Sequence, residues 1–223
     1  PGDRPLLGKI GDKWLGAPVH SLVCAKTRGG KGVGVIIPTL LTYKGSIICN
    51  DVKGENYAVS ARKREGMGQS VYVIDPYAEI TTDAHCFNPL DYIKLNDPGA
   101  VTTARQVAEI LASNQKNSDG FFCEYGKTVL VTFILYVCAK FEGEERTLGK
   151  VRKMLTQSAE NKRSAMEEMQ KMEEFSGVIA GGANTLLELE GEAGEKNDTI
   201  LGIYATAASM TAFLDDPRIA GAL

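Results

Sequence analysis

Along the first 98 residues, short apolar runs alternate with helix-like stretches. "VHSLVCA" (19–25) runs into a glycine-rich loop, and "SIICND" (46–51) and "SVYVIDP" (70–76) are two further strand-like runs. "GVGVIIPTLLTYK" (32–44) is helical in pattern, with Pro38 expected to kink it or thin its hydrogen bonding. "GENYAVSARKREGMG" (54–68) predicts a helix ending at Gly66 or Gly68. Strand, helix, strand, helix, strand in one short segment predicts an α/β fold with parallel strands.

From about residue 100 the strand signals stop. Helices are predicted for residues 102–114, 121–141, 147–157, 158–175 and 197–216, separated by Gly, Asn or Asp breaks. Thr147 and Ser158 are expected N-caps. The longest apolar run, "VLVTFILYVCA" (129–139), falls short of the roughly 20 residues that a membrane span needs, so it predicts a buried core helix. Any membrane anchor is therefore expected outside these residues. The start at Pro1, with no basic-then-apolar leader, suggests a piece of a longer protein.

Charge divides along the same line. Residues 1–98 hold 12 basic and 10 acidic side chains, and residues 99–223 hold 13 and 18, for a net −3 in 223 residues. The acidic helical half offers no basic track for nucleic-acid phosphates. Its stretch "ELEGEAGEKND" (188–198) reads as a solvated helix end and loop, with docking of a basic partner as the alternative. With 43% hydrophobic and 24% charged residues, the composition is that of a soluble globular protein. The five cysteines form no C-x-x-C pair and read as free buried thiols, while His20 and His85 stand alone, which argues against a metal site.

The candidate chemistry lies in "AKTRGGKGVGVIIPTLL" (25–41). A phosphate-binding loop reads G-x-x-x-x-G-K-[ST]; here Ala25 replaces the first glycine and Gly32 replaces the magnesium-binding hydroxyl. Gly29, Gly30 and Gly32 give the backbone freedom to aim N–H groups at an anion, and Lys31 supplies a point charge for the β- and γ-phosphates. A glycine-rich strand-to-helix turn with a solvated lysine is the alternative. Ala25 is tolerable at negative φ. Without a hydroxyl at position 32, magnesium falls to water, to Thr27 or to a carboxylate elsewhere. Asp51 and Glu55, at the expected carboxyl end of the second strand, are candidates to orient a water or a magnesium ion. Both also fit a plain helix N-terminus. Asp75 ends a Walker B-like strand, but Pro76 stands where a second acid often follows.

Together with "VYVIDP" and "FNPLDYI", the string "AKTRGGKGVGVIIPTLLTYKGSIICNDVKGENY" closely resembles the coupling-protein ATPases of type IV secretion and conjugation systems, the TraG/VirD-type family. Their loop typically reads T-R-S/G-G-K-G-V-G, so Gly32 looks like that family's own form. The resemblance covers nearly the whole chain, most sharply residues 19–92. It implies the N-terminal part of a RecA-like P-loop nucleotide-binding domain over residues 1–98, followed by an inserted all-α domain over residues 99–223. It further implies ATP and Mg²⁺ as cofactors, with Thr27, Arg28, Gly29, Gly30, Lys31, Gly32 and Val33 around the phosphates. Lys31 would be the charge clamp, and Asp51 and Glu55 would line the γ-phosphate side. The metal ligand and the arginine finger are not assigned, with Arg4, Arg28 and Arg62 as candidates for the latter.

As partners the resemblance implies a homo-hexamer at the cytoplasmic face of the bacterial inner membrane. That ring would pass relaxase–DNA complexes or effector proteins to the type IV secretion machinery. The family's Walker B strand lies downstream of its all-α domain, so the 223 residues alone are expected to bind nucleotide weakly and not to hydrolyse it. Two other classes remain at this stage. One is a P-loop kinase or GTPase, although no N-K-x-D motif is present and a kinase would ordinarily keep the hydroxyl at position 32. The other is a non-catalytic adaptor acting through the acidic helical half.

Overall fold

The computed structural model describes residues 2–17, 20–113, 120–191 and 197–223. Val19, Asn114 and residues 192–196, which fall in expected elements, lie outside them. The chain divides into two compact units, residues 1–84 and 85–223.

In the first unit β1 (Leu6–Ile10) and β2 (Lys13–Gly16) form an antiparallel hairpin, Ile10 opposite Lys13. A two-residue turn of Gly11 and Asp12 closes it, with Gly11 at φ 56° as such turns require. The hairpin is fastened to α1 (Ile37–Thr42), where the Thr39 hydroxyl accepts from the Leu6 amide at 2.9 Å. Against α1 packs α2 (Glu55–Glu65), which ends at Gly66 as the sequence predicts.

The three expected parallel strands are not formed. Among the described residues the only sheet is the two-stranded hairpin, and residues 20–25, 46–51 and 70–76 are not strands. A parallel strand needs a ladder partner beside it and cover on both faces. This unit supplies neither, and Leu22, Ile48, Tyr72 and Ile74 are exposed.

The second unit is helical, built around α4 (Gly120–Lys140), with α3 (Ala100–Ala112), α5 (Leu148–Thr156), α7 (Val178–Glu190) and α8 (Asp198–Met210) packed on it. By length and composition α4 could cross a membrane, but here it is the core helix. Val129, Leu130, Phe133, Ile134, Leu135 and Val137 are all fully buried on it. The short helices α6 (Ala159–Met169) and α9 (Pro217–Ala222) complete the unit. Thr147 and Ser158 cap α5 and α6 through Lys150 and Asn161 amides, as expected. Residues 85–98, which the sequence pattern groups with the first half, belong to this unit, and Leu90 and Ile93 are buried in its core. All five cysteines are free, but the expectation that they are buried holds fully only for Cys138: Cys24, Cys49 and Cys86 are exposed.

Candidate nucleotide-binding loop

Helical backbone begins at Lys31 and leads through a wide turn, Gly32–Ile36, into α1. In that turn the Ile37 amide bonds to the Gly32 carbonyl, five residues back. Pro38 is the cause: it has no N–H for the carbonyl four residues earlier, and its ring crowds that carbonyl. The thinned hydrogen bonding predicted from Pro38 is therefore a π-turn directly behind the loop.

Within the loop the glycines are not equivalent. At Gly29 a Cβ would sit 2.8 Å from the Lys26 carbonyl oxygen, to which the Gly29 amide itself donates at 3.0 Å. Gly30 takes φ 80°, a conformation that disfavours other residues. Arg28 accepts a similar backbone at φ 60°. Ala25 is not among the positive-φ residues, as its tolerance requires. Gly32 is under no such constraint, since an added Cβ meets nothing within 4 Å.

Lys31 folds back over this loop. Its ammonium donates to the carbonyls of Ala25 at 2.6 Å and Lys26 at 3.0 Å. Residues 21–30, Thr27 among them, are exposed, as is Val33. An exposed turn, a lysine arched over it and a helix beginning at that lysine together form an arrangement suited to an anion.

Asp51 and Glu55 both lie at the N-terminal end of α2, in roles that fit the plain helix-terminus alternative. Asp51 Oδ2 accepts from the Tyr57 amide at 2.8 Å and Oδ1 from Asn56 Nδ2 at 3.3 Å, so its carboxylate caps the helix. Glu55 is exposed in the first turn. Neither is hydrogen-bonded to Lys31. Between them Gly54 turns at φ 70° with Ile80 beside it; a Cβ there would lie 2.8 Å from that side chain. Burial chiefly, and then the Asp51 charge, push the neighbouring Cys49 thiol upward from its ordinary pKa.

Asp75 is engaged in a loop. Its Oδ2 accepts from the amides of Ile80 at 2.7 Å and Thr81 at 3.1 Å, and these bonds hold its carboxyl below the usual range. Among the described residues no cluster of three or more His, Cys, Asp and Glu forms a metal site. The loop's backbone and lysine suit an anion, whereas among the described residues no such cluster assembles to hold Mg²⁺. Arg4, Arg28 and Arg62 are exposed. Sequence reasoning passed over Arg64, which is buried on α2 together with Ser60 four residues earlier. That four-residue spacing was the available signal, masked because the buried face is polar.

Comparison with known proteins now decides the family. The family described as "Type IV secretory system Conjugative DNA transfer" matches residues 4–223. The chain belongs to this family. Among its relatives, Protein VirD4 of Agrobacterium fabrum is 42% identical over 52% of this chain and 19% of its own length. Conjugal transfer protein TraG of Escherichia coli is 31% identical over 91% of this chain and 32% of its own length. Type IV secretion system-coupling protein VirD4 of Bartonella henselae is 27% identical, over 96% and 34% respectively. The chain thus spans between about a fifth and a third of the length of these curated relatives.

Proposed function

We propose that this chain carries the nucleotide loop and the all-α domain of an ATP-driven coupling protein, and that the full-length protein delivers cargo to a type IV secretion channel. The observation that carries this reading is Lys31, arched over a loop in which Gly29 and Gly30 cannot be replaced without strain. Thr27 to Val33 would surround the phosphates of ATP, with the Lys31 ammonium as the charge clamp. Bound Mg²⁺ would neutralise phosphate charge, and its protein ligand is left to the full-length protein.

Hydrolysis is likewise assigned to the full-length protein. So are a homo-hexameric ring, placement at the cytoplasmic face of the inner membrane and recruitment of relaxase–DNA complexes or effector proteins. In that setting residues 19–25, 46–51 and 70–76 are read as parallel strands of a RecA-like domain, which would cover Leu22, Ile48 and Ile74. Family membership favours this reading over a P-loop kinase or a GTPase. ATP turnover and substrate transfer by full-length protein, both abolished by Lys31→Ala in a folded variant, are the expected results. Selective GTP binding, or phosphate transfer to a metabolite, would contradict it.

A further inference from the structure

Arg64 is a buried cation in the first unit, 8% exposed, on the last turn of α2. It forms no ion pair among the described residues; its guanidinium is satisfied by carbonyls. Nη1 donates to Leu40 O at 2.9 Å and Tyr43 O at 3.2 Å, and Nη2 donates to Gly45 O at 2.9 Å. Gln69 adds a bond from Nε2 to Lys44 O at 2.5 Å.

These acceptors lie at and just beyond the C-terminal end of α1. That end has no left-handed glycine: Tyr43 takes its place with extended backbone, ψ 127°. The guanidinium therefore does what a C-terminal cap does, donating to the unpaired carbonyls and facing the negative end of the helix dipole.

The helix so capped is weak in itself. From Lys31 to Thr42 it is about three turns long, opens in a π-turn and contains Pro38. Isolated helices of that length are marginal in water, so order at one end depends on how the other is held. The held end is Arg64; the other presents the Thr27–Val33 loop and Lys31.

We propose that Arg64 is a positioning residue for nucleotide binding, capping α1 from α2 so that the helix behind the phosphate loop stays formed. The inference rests on the nucleotide reading of the loop, and its test separates the two. Full-length wild-type, Lys31→Ala, Arg64→Ala and Arg64→Lys proteins are titrated with a fluorescent ATP analogue, well below each protein's melting temperature. Folding is checked in parallel by circular dichroism.

The expected result is a Kd raised about tenfold in Arg64→Ala. Arg64→Lys should be intermediate, because an ammonium cannot span three carbonyls as the planar fork does. Added methylguanidine should partly restore binding to Arg64→Ala. A merely structural arginine would lower the melting temperature and leave Kd unchanged; that result overturns the proposal. If Arg64→Ala fails to fold, Arg64→Lys decides by the same criterion. Wild-type binding that Lys31→Ala removes and neither Arg64 variant alters overturns the positioning role alone. A wild type that binds no nucleotide overturns the nucleotide reading and the positioning role together.

Discussion

Gly182 on α7 lies directly against Thr132 on α4: a Cβ at position 182 would overlap the Thr132 hydroxyl and come within 3.1 Å of its Cβ. Thr132 cannot simply turn away, because it is buried and its hydroxyl donates to the Thr128 carbonyl at 2.9 Å. Gly182→Ala is therefore expected to destabilise the helical unit by about 1–3 kcal/mol, the usual cost of overpacking. Urea unfolding checks this. A Gly182→Ala, Thr132→Ala double variant should recover part of the loss, and strict additivity would count against the contact.

That close approach also explains what the sequence concealed. Gly181 and Gly182 suppress the helical signal across 178–190, and α7 was not expected. Its buried positions Ile179, Ala183 and Leu186 nevertheless repeat at helical spacing. The other helices of the second unit were legible because their apolar faces are conventional and their caps at Thr147 and Ser158 are local. The hairpin was missed although Gly11 and Asp12 are a standard two-residue turn signal, because its strands are short and, apart from buried Leu6, mostly exposed. The expected parallel strands are not formed among the described residues, since apolar runs announce strands without supplying the ladder partners that a parallel sheet needs. In the candidate site, Pro38 and the loop glycines were legible from local backbone chemistry. The capping roles of Asp51 and Arg64 were not decided by sequence, because neither occupies the cap position of the helix it caps: Asp51 bonds an amide six residues on, and Arg64 reaches carbonyls 19 to 24 residues away.

Gly32 offers a contrasting substitution. With nothing within 4 Å of an added Cβ, Gly32→Ser should fold normally, with stability changed by less than about 0.5 kcal/mol. Thermal unfolding measures this directly. Under the nucleotide reading, the new hydroxyl should strengthen magnesium-dependent nucleotide binding, visible as a steeper Mg²⁺ dependence of Kd. A large loss of stability would mean that Gly32 is held by contacts the structure does not contain.

An acid-sensitive contact joins α4 to α6. Lys140 Nζ bonds Glu168 Oε1 at 2.5 Å and the Tyr136 hydroxyl bonds Oε2 at 3.0 Å. The Lys140 ammonium, first, holds the Glu168 carboxyl below its ordinary pKa against the opposing effect of burial, and the Tyr136 phenol adds a smaller downward pull. A carboxyl depressed in the fold stabilises it above the unfolded-state pKa of about 4.3, and that contribution is lost as pH falls through the folded value. Both partners are substantially exposed, so the effect should stay below about 1 kcal/mol. Glu168→Gln should flatten the acid limb of stability against pH between about pH 5 and 3. An unchanged acid limb would remove this pair from the account.

The central claim is that Lys31 serves bound phosphate. In the structure its ammonium is held by the Ala25 and Lys26 carbonyls, which a polyphosphate would have to replace as its partners. The most direct measurement is a calorimetric titration of the full-length protein with ATP and Mg²⁺, wild type against Lys31→Ala. Saturable wild-type binding is expected, weakened at least about tenfold in the variant at unchanged fold. Equal affinities for the two proteins would contradict it.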